Sequence, residues 1–139
     1  MLENPNIRTP IIIGLGAIAG ALSRYYLGQW LILLTPLNFP MGTLFVNISG
    51  CFFMGLITTL MVRRLSLKPD LMLLITTGFL GAYTTFSSYE LETEQLLVDF
   101  KNPQISLLYW FSSPLLGLLS FGFGVALAKT IQPINQVDE

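Results

Sequence analysis

Asn47 is the residue whose chemistry is hardest to reconcile with its surroundings. It stands in Gly42-Thr43-Leu44-Phe45-Val46-Asn47-Ile48-Ser49-Gly50, inside a long apolar run, with Thr43 one helical turn earlier on the same face. A primary amide in an apolar medium is costly unless it is bonded. It therefore either ties one helix to another or lines a polar path, where its NH2 group can donate to an anion shedding water. A second concentration of polar groups follows Gly78 and Gly81, where Thr84, Thr85, Ser87 and Ser88 put four hydroxyls among five positions. Such residues after glycine weaken a helix, or bond back to its own carbonyls. Phe86 and Tyr89 are three apart and share a helical face. They are packing, or they present electropositive ring edges to an anion. Tyr109, Ser113 and Gly117 recur at four-residue spacing on another apolar stretch, with a kink at Pro114 as the competing explanation for Ser113.

The charged residues say less. Arg24 is the one clear cation within an apolar run, and its neighbours Tyr25, Tyr26 and Trp30 suit an interfacial position in which the side chain snorkels. The other reading is an attractor for anions at a pore mouth. Glu90, Glu92 and Glu94 read as a solvated helix end, with only Glu90 or Glu92 close enough to the apolar interior to matter as a buried acid. Enzyme chemistry finds no support. There is no histidine, Cys51 is the only cysteine, and Gly14-x-Gly16 opens an apolar run rather than following a strand.

The elements that must position these groups are membrane spans. Charged residues make up 11% of the 139 residues and apolar ones 53%, with a net charge of −1. A soluble domain carries about 25% charge. No basic face marks a nucleic-acid partner. Four blocks reach the ~20 residues that a bilayer core demands: about 11–34, 41–62, 69–100 and 104–128, with Arg63-Arg64 closing the second. The first is too long for a signal-peptide core and is expected to be retained. The fold class expected is all-α, one four-span membrane domain over 1–139. Gly16 and Gly20, and later Ser120, Gly124 and Ala128, form rows that admit close helix packing. Four helices enclose little interior, so an oligomer is expected.

Three segments together resemble the Fluc/CrcB family of fluoride channels. Gly16-Ala17-Ile18-Ala19-Gly20-Ala21-Leu22-Ser23-Arg24-Tyr25 is similar to the family's glycine-rich run ending in Arg. Gly42-Thr43-Leu44-Phe45-Val46-Asn47-Ile48-Ser49-Gly50 is similar to its G-T-L-x-V-N-x-x-G pattern. Gly78-Phe79-Leu80-Gly81-Ala82-Tyr83-Thr84-Thr85-Phe86-Ser87-Ser88-Tyr89 is similar to its G-x-x-G-G-x-T-T-F-S-T-F signature. The resemblance implies an antiparallel dimer of four-helix subunits with a broken third helix and two narrow fluoride pores. It implies a structural Na+ at the dimer axis, held by the carbonyls of Gly81 and Thr84. The fluoride pathway it implies passes Asn47, Phe86 and Tyr89, with Thr43, Thr85, Tyr109 and Ser113 as further polar contacts. Three departures stand out: Tyr89 where the family has a second Phe, Gly117 where a hydroxyl is common, and Ala82 for Gly. The last is mild if the break needs no positive φ there.

The implied function is passive export of fluoride across the inner membrane, through a multi-pass protein with lipid around it. Replacing the shell of so strongly hydrated an ion takes several weak donors in a row, so that it can also leave. Arg8, Arg63, Arg64, Lys68 and Lys129 lie on one side of the four-span topology and Lys101 and Arg24 toward the other, five against two. That is a positive-inside bias. It raises the expectation of a preferred orientation, and of either a homodimer or a heterodimer with an oppositely oriented paralogue. A four-helix multidrug transporter is the main alternative, but it needs a carboxylate in its first span, which has none. A non-transporting assembly subunit would leave Asn47 and the hydroxyl cluster without a role.

Overall fold

The computed structural model describes residues 5–34, 39–63, 68–99 and 101–131. Pro36, Arg64, Phe100 and the polar tail beyond Ile131 lie outside the described residues. Helix α1 spans Pro5–Leu34 and α2 spans Met41–Arg63. The third span is built in pieces: α3 (Pro69–Met72), a π-helical stretch (Leu73–Leu80), α4 (Gly81–Tyr83) and α5 (Phe86–Val98). Helix α6 spans Pro103–Ile131. Four stretches, Pro5–Leu34, Met41–Val62, Pro69–Val98 and Pro103–Ile131, are long and apolar enough to cross a membrane. No strand occurs among the described residues. Pro69 begins α3, where a missing N–H costs nothing, and Asp70 in its first turn is paired with Arg8 of α1.

Helix α1 lies along the π-helical stretch and α2 along α6, because small residues let the backbones touch. A Cβ on Gly20 would stand 2.2 Å from the carbonyl oxygen of Phe79, and one on Gly124 2.2 Å from that of Phe52. Ser120 adds a 2.8 Å bond from its hydroxyl to the Ile48 carbonyl. The small-residue rows therefore join helices within one subunit. Since the clash at Gly124 is with main chain rather than with a mobile side-chain tip, Gly124→Val must push α2 and α6 apart. It is expected to cost about 3 kcal/mol, read as a lower unfolding midpoint of the purified protein in detergent.

The wide turn in the third span was not foreseen. The Gly81 N–H reaches back five residues to the Thr76 carbonyl, and such π-turns cluster at functional sites. Thr84 (φ −76°, ψ 153°) and Thr85 (φ −148°, ψ 123°) are then extended and separate α4 from α5. Thr84 still bonds back, its N–H and its hydroxyl both donating to the Leu80 carbonyl at 3.1 Å. Among the described residues only Lys101 has a positive φ, so Ala82 meets no penalty for replacing glycine.

Candidate functional site

Asn47 on α2 faces the two extended residues. Its amide nitrogen donates to the Thr85 carbonyl at 2.9 Å, and its amide oxygen accepts the Thr85 N–H at 2.8 Å. The side chain thus pairs with a peptide group and satisfies both of its polar atoms where no helix does. It ties α2 to the third span, yet an amide nitrogen carries two hydrogens and the Thr85 bond takes one. Asn47 also lines an open groove of about 460 Å³ together with Thr85, Phe86, Tyr89, Ser113 and Gly117.

Thr85 then caps α5. Its hydroxyl accepts the Ser88 N–H at 3.2 Å, satisfying one of the donors that a helix start leaves over. In an unbroken helix the Thr85 N–H would serve the Gly81 carbonyl and the Ser88 N–H the Thr84 carbonyl. Here the first goes to Asn47 and the second to the Thr85 hydroxyl. Carbonyls just before the break, those of Gly81 and Thr84 among them, therefore lose their helical donors, a state tolerated only against protein, an ion or water.

A second cavity of about 310 Å³ is lined by Arg24, Thr43, Thr85, Ser88 and Glu92. Thr85 borders both cavities. Glu92 is bonded twice, accepting the Thr43 hydroxyl at 2.6 Å and the Tyr109 hydroxyl at 2.8 Å. Tyr109 is 0% exposed. Its ring packs between Tyr89 and Phe39, with centroids 5.3 and 5.5 Å away. Phe86 continues the aromatic row 5.6 Å from Tyr89, but is itself 72% exposed.

Of the residues singled out in the sequence, Asn47, Thr85, Phe86, Tyr89 and Ser113 share the first groove, and Thr43 and Thr85 the second cavity. Tyr109 borders neither, because its hydroxyl turns to Glu92. Arg24 lines the second cavity, and Glu92, read as part of a solvated helix end, is instead half-buried and bonded to Thr43 and Tyr109. One signal could have found Glu92. Thr85, Ser88 and Glu92 stand at i, i+3 and i+7, one polar stripe on an otherwise apolar segment.

The model of the CrcB-like family ("CrcB-like protein, Camphor Resistance") matches residues 11–125. A fluoride-specific ion channel FluC of Trichormus variabilis is 51% identical over 130 residues, covering 93% of this chain and 94% of that one. One from a Synechococcus strain is 44% identical over 128 residues, covering 92% and 98%. A third, FluC 1 of Moorella thermoacetica, is 41% identical over 119 residues, covering 86% and 84%.

Proposed function

We infer the function from the premise that this chain belongs to the CrcB family: it is a fluoride-specific ion channel and not an enzyme. The observation that carries a pathway is that two cavities, each with polar side chains in its lining, share Thr85. Fluoride is drawn into the second cavity by Arg24 and by hydroxyls. Beyond Thr85 it exchanges its water for the Asn47 amide, the Ser113 hydroxyl and the edges of the Phe86 and Tyr89 rings. None of these carries a fixed positive charge, so the ion is held weakly enough to move on. Glu92 would repel an anion, but its two oxygens are turned onto Thr43 and Tyr109, which spread its charge.

The working form is an antiparallel dimer in the inner membrane, with a helix broken at Thr84–Thr85 in each subunit. The support is that the first groove is open in a single subunit and Phe86, at its rim, is 72% exposed. A second copy, or an oppositely oriented paralogue, would close it into a pore. The Gly81 and Thr84 carbonyls of both subunits would hold one Na+, which supplies positive charge where carbonyl dipoles converge.

Fluoride and chloride efflux from liposomes holding the purified chain alone tests the function. Fast fluoride loss without chloride loss is the expected result. No fluoride loss from well-folded protein, alone or with a co-expressed paralogue, would sink the reading. The charge bias adds a topology prediction. C-terminal reporter fusions should lie mainly in the cytoplasm, and equal populations on both sides would remove the case for a paralogous partner.

A further inference from the structure

Pro114 lies inside α6 and has no N–H. In an α-helix that N–H would serve the carbonyl four residues earlier, here that of Trp110. At membrane depth no water replaces it. The donor comes instead from another helix: the Tyr89 hydroxyl of α5 donates to the Trp110 carbonyl at 2.5 Å. Tyr89 is 3% exposed, and its ring is held between Phe86 and Tyr109.

We propose that Tyr89 is a positioning residue of the ion pathway, whose hydroxyl replaces the N–H that Pro114 lacks and so fastens the ring to the kinked turn of α6. Ser113 and Pro114 line the same groove as Asn47 and Tyr89. The bond therefore sets the spacing between the ring and the Ser113 hydroxyl across that groove. A tyrosine hydroxyl has one hydrogen, and it is committed to Trp110. Toward a passing anion Tyr89 presents its ring edge, as a phenylalanine would, and the added oxygen serves the helix. Tyrosine and proline are thus a matched pair in this chain: the proline orphans a carbonyl and the tyrosine takes it.

A double-substitution cycle tests this, with the channel reading needed only for its flux arm. Parent, Tyr89→Phe, Pro114→Ala and the double variant are compared by thermal unfolding in detergent and by fluoride efflux from liposomes. Tyr89→Phe should lower the parent's efflux about tenfold and its melting temperature with it, because the carbonyl is left bare. With Pro114→Ala in place, an N–H again serves Trp110, and the same change should alter efflux less than about twofold. If Tyr89→Phe alone gives no folded protein, recovery of folded protein in the double variant is the expected result. Equal losses in both backgrounds would overturn the proposal, and so would coupling in melting without coupling in efflux. Absence of fluoride efflux from the parent would instead count against the channel function, and the melting cycle alone would then decide the bond.

Discussion

Asn47→Leu is expected to cut fluoride efflux by at least about 100-fold, a loss of roughly 2.7 kcal/mol at the barrier. Leucine is close to asparagine in size, so the groove keeps its shape but loses its amide donors. An ion that has given up water next to Thr85 then meets hydrocarbon on the α2 side. The same substitution withdraws both partners of the Thr85 peptide, which should also lower stability by about 1–3 kcal/mol. Asn47→Asp separates the two effects. A carboxylate still accepts the Thr85 N–H, so more of the fold's stability is kept, but it faces fluoride with negative charge. Both variants should be non-conducting while differing in unfolding midpoint. A folded Asn47→Leu protein that conducts within about threefold of the parent, less than 1 kcal/mol, would remove Asn47 from the pathway.

What could be read before the fold was known follows from the range of each interaction. Spans were legible because bilayer thickness imposes a run length that sequence displays directly. Asn47 stood out because a buried amide is rare in such a run. Its partner did not, since Thr85 lies 38 residues away and local pattern carries no information about that pairing. The hydroxyl cluster near Gly81 left two readings open, a weakened helix or hydroxyls bonding back to its carbonyls. It could not show that the helix widens earlier, from Leu73, because propensities do not distinguish bonds reaching four residues back from bonds reaching five. Glycine rows were legible as close contacts, but not which helices they join; Gly16 and Gly20 meet the third span of their own chain. Tyr89 was recognisable as an aromatic with an extra oxygen. Only the fold puts that oxygen beside a carbonyl that Pro114 leaves bare.

Exhaustive replacement of Na+ by a large organic cation should lower fluoride efflux at least about tenfold and reduce thermal stability, and restored Na+ should reverse both. The expectation rests on the Gly81 and Thr84 carbonyls, whose helical donors are bound to Asn47 and to the Thr85 hydroxyl. In a dimer that makes four such oxygens, and each left bare in a span costs about 1–3 kcal/mol. Their repulsion would then press the two interrupted helices apart and disturb Thr85, which borders both cavities. Because the ligands are main-chain atoms, no side-chain truncation deletes them. One substitution can nevertheless loosen the site. Asn47→Leu leaves the Thr85 N–H without its Asn47 acceptor, so that in part of the population it competes with a cation for the Gly81 carbonyl, its acceptor in an unbroken helix. The stabilisation that Na+ gives in thermal unfolding should therefore shrink in Asn47→Leu relative to the parent. An equal Na+ effect on the melting of both proteins would mean that Asn47 does not hold those carbonyls open.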